Sequence, residues 1–216
     1  MAAQLAFGAG GIFLLILASL HLLRPDLDPT WRVISEYEIG PHGWLMRLAF
    51  LALAIAAATL GIASYTQIRT LGGYLGLVLL GLSAVGMVLA GLFDTDPITA
   101  SAGARTPTGR LHELGAMLDS IPFAAPLITY SMTRDRLVHP TTLRLRWVAW
   151  VPLIGTVLFL ASLARMLPAH GGAFGPDVLI GLPNRLMIIT HCAWLMLAAA
   201  YLLRLPVSPP TSHVAA

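Results

Sequence analysis

The sequence predicts an all-α fold, an integral membrane bundle of six transmembrane helices forming one domain. Two observations carry this expectation. Of the 216 residues, 57% are hydrophobic and only 11% charged, far from the roughly 25% charged of soluble domains. The apolar residues also fall in unbroken runs of the length that a helix needs to cross a bilayer, about 20 residues. The runs lack the alternation of barrel strands, and an isolated strand leaves its backbone unpaired in lipid, so helices are the expected form.

Residues 2–23 carry no charge and make the first run. With no basic segment before it and no small-residue cleavage site, it is expected to be retained, with the mature chain starting at or near Met1. Runs 48–68 and 70–93 are equally free of charge. A fourth, about 110–133, holds Glu113 and Asp119 near its start, and Pro122 and Pro126 are expected to bend it. Runs 147–164 and 186–203 complete six, so residues 1–205 form the transmembrane domain. The tail 206–216 is expected to be disordered. The single cysteine, Cys192, lies inside the last run, which excludes an internal disulfide and a cysteine-based zinc cluster.

All 13 basic residues are arginine, and the sequence pI is about 9.5. A nucleic-acid partner is nonetheless excluded, because the arginines are scattered over loops and form no stripe. Six spans place the termini, the loop near Arg69 and the segment 134–146 on one side. The raw arginine tally does not separate the sides: Arg69, Arg134, Arg136, Arg144, Arg146 and Arg204 stand against Arg24, Arg32, Arg47, Arg105, Arg110, Arg165 and Arg185. Density does, since four arginines crowd the short loop between the fourth and fifth runs, which is therefore expected in the cytoplasm. The expected location is the cell (inner) membrane, multi-pass, with both termini cytoplasmic.

The opposite end receives Asp26, Asp28, Glu36, Glu38, Asp94, Asp96, Glu113 and Asp177. Three long connections meet there: 24–43 with SEYEIGPHGW, 94–109 with TPTGR at its end, and 168–183 with HGG and GPD. Thr106 and Pro107 read as N-cap and first residue of the fourth helix. His112 and Asp119 are seven apart, two turns along one face, with Asp119 ~10 Å deeper. Asn184 and His191 repeat that spacing in the last helix, and His21 lies at the outer end of the first. Ionisable residues at such depth point to a site. The expectation is a pocket lined by His21, His112, Asp119, Asn184 and His191 and roofed by Glu36, Asp94 and Asp96.

Each residue has a plainer reading. His21 can snorkel to the headgroups, His112 and Glu113 can serve the helix start, and Asp119 and His191 can satisfy a structural contact between helices. Asp94 fits a turn before Pro97, and Trp31, Trp44 and Trp147 fit interfacial anchors. The sequence holds no HExxH, GxSxG, P-loop or GxGxxG after a strand. A histidine–carboxylate metal site lacks an i,i+4 histidine pair, and haem lacks CxxCH, so neither metal nor cofactor is expected.

Taken together, SEYEIGPHGWLM after the first run, GLFDTDP closing the third and TPTGRLHELGA opening the fourth resemble the signature of the DUF998 family of six-helix prokaryotic membrane proteins. The resemblance spans residues 20–203, and Ser35, Glu36 and Tyr37 with Gly40, Gly43 and Trp44 match best. It implies less weight for Asp94, where the family more often shows proline, than for Asp96. The layout is also similar to a group of six-helix proteins associated with lipid handling, an analogy of fold.

The leading expectation is that the extracytoplasmic pocket binds a membrane lipid or isoprenoid-like amphiphile, with Ser35, Glu36, Tyr37, Asp96, Arg110 and His112 at its headgroup and His21 and Asn184 lining the pocket. The rival is an intramembrane acid–base enzyme, a polyprenyl cyclase or isomerase or a metal-assisted lipid hydrolase, working through Asp119, His112, His191 and Glu36. The third is a structural partner using close helix approach at Gly72, Gly73, Gly76, Gly81, Gly86 and Gly91, with the packing expected within the bundle.

Overall fold

The computed structural model describes residues 1–136 and 140–205, and every regular element among them is helical. In chain order these are α1 (Ala2–Leu23), α2 (Gly43–Tyr65), α3 (Leu71–Leu92), a broken pair α4 (Pro107–Met117) and α5 (Ile121–Met132), a second pair α6 (Pro140–Val148) and α7 (Val151–Ala169), and α8 (Gly181–Leu203). Five segments are long and apolar enough to cross a membrane: α1, α2, α3, the 30-residue Pro140–Ala169 and α8. The residues 206–216 expected as a disordered tail lie outside the described ones.

Where one bent helix is expected over 110–133, the chain makes two. A proline ring clashes with the carbonyl four residues earlier, and for Pro122 that carbonyl belongs to Leu118. The α-helix accordingly stops at Met117 and restarts at Ile121. The backbone groups freed at the break are met locally: Ser120 N–H donates to Ser83 Oγ on α3 at 2.7 Å and Ile121 N–H to Asp119 Oδ1 at 3.2 Å. Pro126, the other expected bend, sits inside α5 without interrupting it. The arginine-rich loop expected before the fifth span is in part helix α6.

The helices close into a ring. α1 packs on α2, α2 on α3, α3 on both α4 and α5, α7 on α8 and α8 back on α1. In α1 the buried positions Ala6, Phe13, Leu17 and Leu20 follow helical spacing, while Leu5, Ile12, Leu15 and Leu22 face outward. α3 and α4 cross at Gly86 and Gly115, where a Cβ on either glycine would run into the carbonyl oxygen of the other. The seam between the α4–α5 pair and α7 is the weak one. α5 packs on α7, but α4 packs on α3 without a comparable partner in α7 or α8. Among its described residues α7 buries only Pro152 and Gly155 fully.

Candidate functional site

The acidic loops fold into a latch over the end of the bundle where α1 ends and α8 begins. Residues Ile34–Glu38 of the SEYE stretch form a short 3₁₀ turn in which Ile34, Glu36, Tyr37 and Glu38 are buried. Glu36 Oε1 takes Arg32 Nη1 at 2.7 Å and the Ile98 N–H at 3.1 Å. Glu38 Oε2 takes the Thr95 N–H at 3.1 Å and lies 3.2 Å from His112 Nδ1. Burial pushes the Glu38 carboxyl above its usual range, with His112 and the Thr95 N–H opposing and Asp94 adding to the push. Tyr37 accepts Arg185 Nη2 on its hydroxyl at 3.2 Å.

Arg185 is the pin of this latch. Its Nη1 donates to the Arg32 carbonyl at 2.6 Å and its Nε to His21 Nε2 at 2.7 Å. Since a guanidinium only donates, His21 Nε2 must accept, and the proton of that imidazole sits on Nδ1, which donates to the Leu17 carbonyl at 2.7 Å. His21 is therefore engaged by Arg185 and Leu17 and is not among the residues that line the cavity described below. Glu36, Tyr37 and Asp96 are likewise held in the latch. Asp96 takes the Thr106 N–H at 2.8 Å and its hydroxyl at 3.0 Å, while Thr106 caps Gly109 N–H at 3.0 Å as expected. Arg110 is exposed on α4 and makes no ion pair among the described residues.

Beneath the latch lies a cavity of about 100 Å³ between α2, α3, α4 and α8. Ser35, His112, Asp119 and Asn184 give it a polar wall, and Phe50, Met87, Met187 and Ile188 are among its apolar lining. Asn184 also holds the roof, its Oδ1 accepting the Ile34 N–H at 3.0 Å. Of the expected pocket, His112, Asp119, Asn184 and Ser35 thus meet in one place. His191 stands directly behind: its Nδ1 is 3.1 Å from Asp119 Oδ2, within ion-pair reach although outside hydrogen-bond angle, and has no other partner among the described residues.

His191 is fully buried, halfway along α8. Its Nε2 is 3.2 Å from Thr156 Oγ1 on α7, and Thr156 gives its own hydroxyl proton to the Pro152 carbonyl at 3.0 Å. Nε2–H therefore donates to Thr156, which leaves Nδ1 turned toward the Asp119 carboxyl group. No three His, Cys, Asp or Glu side chains converge as a metal site would need among the described residues.

A family model described as a protein of unknown function (DUF998) matches residues 7–201. The chain belongs to the DUF998 family. No curated protein and no solved structure matches it. In this DUF998 protein the motifs that carried the resemblance fall together: SEYE, FDTDP and TPTGR form the latch, and TPTGRLHELGA supplies the His112 wall of the cavity. Glu38, Arg185 and Thr156 are the residues that sequence reasoning passed over. Glu38 lay inside the quoted motif and Arg185 beside Asn184, whereas Thr156 carried no signal, since a hydroxyl bonded to the carbonyl one turn back is ordinary in a membrane helix.

Proposed function

We propose that this DUF998 protein is a six-span cell-membrane protein whose cavity receives the polar end of a membrane amphiphile, a lipid or an isoprenoid-like molecule, with the apolar chain lying in the seam between α4 and the outer half of α7. The observation that carries this reading is the cavity itself, whose polar wall of Ser35, His112, Asp119 and Asn184 faces an apolar one. About 100 Å³ suits a small headgroup or a few waters and not a whole lipid, so the chain must leave sideways. Ala116, which lines the cavity yet is exposed, marks the side on which α4 lacks a neighbour.

Six crossings are supported by parity. Met1 and Leu205 border one groove together with Thr66, Gln67 and Arg69, so both ends of the described chain lie on one side. Five crossings would separate them, and α4–α5 supplies the sixth as a broken span of the kind that membranes tolerate around a cavity. The arginine-dense 134–146 segment follows α5 at that same end, which supports a cytoplasmic placement of both termini.

The test is thermal unfolding of delipidated protein against a panel of polyprenyl and phospholipid amphiphiles. At least one class should raise Tm, and Ala116→Trp should remove that rise by filling the side opening. A panel with no stabilising member sinks the reading. The Asp119–His191 approach favours a second reading, an intramembrane acid–base enzyme; product formation from the stabilising amphiphile, lost in Asp119→Asn while the Tm rise persists, would select it.

A further inference from the structure

Four ionisable side chains stand in sequence from the loop end to the middle of the bundle. Glu38 meets His112 at 3.2 Å under the latch, and Asp119 meets His191 at 3.1 Å halfway along α8. Between the two pairs lies the cavity that both His112 and Asp119 line. The two lie seven residues apart across the end of α4, and no hydrogen bond or ion pair joins them directly among the described residues. The cavity of about 100 Å³ has room for roughly three waters along its polar wall between them.

Beyond His191 the interior closes. On α8 Cys192, Trp194, Leu195 and Ala198 are fully buried, as are Ile121 and Ala124 on α5. The Trp194 indole N–H is spent on Thr129 Oγ1 at 3.0 Å, so the packing there is satisfied as well as dense. Around the inner pair, Cys192 is the other titratable group on α8, α7 presents Thr156, and α3 presents Ser83, which already accepts the Ser120 N–H. Around the outer pair the further charges are Asp94 and Arg47, which bind each other.

We infer that these groups form a one-sided proton path: Asp119 and His191 hold one exchangeable proton at the centre of the bilayer, and it comes and goes only from the loop side, through the cavity and the Glu38–His112 pair. Protonation of the neutral pair adds one positive charge and leaves Asp119 as a carboxylic acid beside an imidazolium; deprotonation returns that proton through cavity water to His112 and then Glu38. The geometry needs no ligand, so this inference stands apart from the amphiphile reading.

The experiment uses the full chain in liposomes with no added amphiphile, reading carboxyl protonation by infrared difference spectroscopy after a rapid pH drop. The Asp119 signal is read as the difference between each protein and the same protein carrying Asp119→Asn, so that Glu38 and the loop carboxyl groups cancel, and a carboxylic-acid difference is expected in the wild type. His112→Gln and Glu38→Gln should keep the size of that difference, which shows that they fold, and slow its appearance about a hundredfold, the lower end of what a positioned acid–base group contributes. Should those variants not fold, Ala116→Trp, which crowds the cavity from an exposed position, should slow it likewise. For sidedness, in a Cys192→Ala background a membrane-impermeant thiol reagent should label Ser35→Cys, on the loop side of the cavity, and leave Ala198→Cys untouched. No carboxylic-acid difference between the wild type and Asp119→Asn, relay variants as fast as the wild type, or equal labelling of both cysteines overturns the path. None of these outcomes depends on whether any amphiphile binds.

Discussion

Asp119 Oδ2 stands 3.1 Å from His191 Nδ1, joining the break between α4 and α5 to the midpoint of α8. Removing Asp119 leaves His191 Nδ1 buried with nothing to meet it, and removing His191 leaves Asp119 with only the Ile121 N–H as a partner among the described residues. Asp119→Asn and His191→Ala should each lower stability, and the double variant should cost less than their sum. A coupling of about 1–2 kcal/mol is expected from a double-mutant cycle read by unfolding in detergent; strict additivity would mean that the contact is incidental.

The α3–α4 crossing makes opposite outcomes for one substitution on one helix. Gly86→Ala and Gly115→Ala put a methyl group against backbone oxygen, which cannot swing aside, and should cost about 1–3 kcal/mol. At Gly81 nothing lies within 4 Å of an added Cβ, so Gly81→Ala should be neutral or stabilising by up to about 1 kcal/mol. Thermal midpoints of the three variants decide it.

Arg185 holds the latch through four acceptors, the Arg32 and Gly181 carbonyls, His21 and Tyr37. A lysine has one compact ammonium and cannot reach groups spread around a planar fork. Arg185→Lys should therefore destabilise almost as much as Arg185→Ala, by about 3 kcal/mol or more, since bonds to a charged donor contribute about 1.5–3 kcal/mol each. Tyr37→Phe, which removes one acceptor, should cost only about 1 kcal/mol. Limited proteolysis of the 24–42 connection gives an independent readout of the latch.

Glu38 gives the fold a pH dependence whose sign follows from its burial. Its carboxyl holds a proton more tightly when folded than in the unfolded chain, where the usual value is 4.5. The contribution to stability is therefore fully present below about pH 4.5 and is lost as pH rises through the higher folded value. Glu38→Gln cannot lose a proton, so the wild type should fall relative to the variant over that rise. Thermal midpoints of both proteins from pH 4 to 8 should show this difference curve; a flat difference, or one of opposite slope, would show that His112 keeps Glu38 ionised throughout.

Much of the architecture was legible along the chain because a bilayer imposes length and composition on each span separately. α1 ends where its charge-free run ends, at Leu23, and Thr106 with Pro107 start α4 as their chemistry requires. The break at 118–120 was only half legible: prolines announce a disturbed helix, but whether the chain bends or stops depends on partners for the freed groups, here Ser83 on another helix. His112, Asp119, Asn184 and His191 could be assigned a depth from their spacing. Depth is one coordinate of three, which is why His21, at a similar level, was grouped with them although it faces Arg185.

By itself the sequence determined that the chain is helical and membrane-embedded, which residues are too polar for their depth, and which end of the bundle gathers the acids, since each of these follows from local composition and helical pitch. Only the tertiary structure decided partners: that Glu36, Tyr37 and Glu38 are held in a latch, that α4 packs on α3 without a comparable partner in α7, and that Asp119 stands against His191. Such pairings depend on how helices distant in sequence turn their faces toward one another. Lipid, being as apolar as the side chains, gives no sequence pattern from which those rotations can be read.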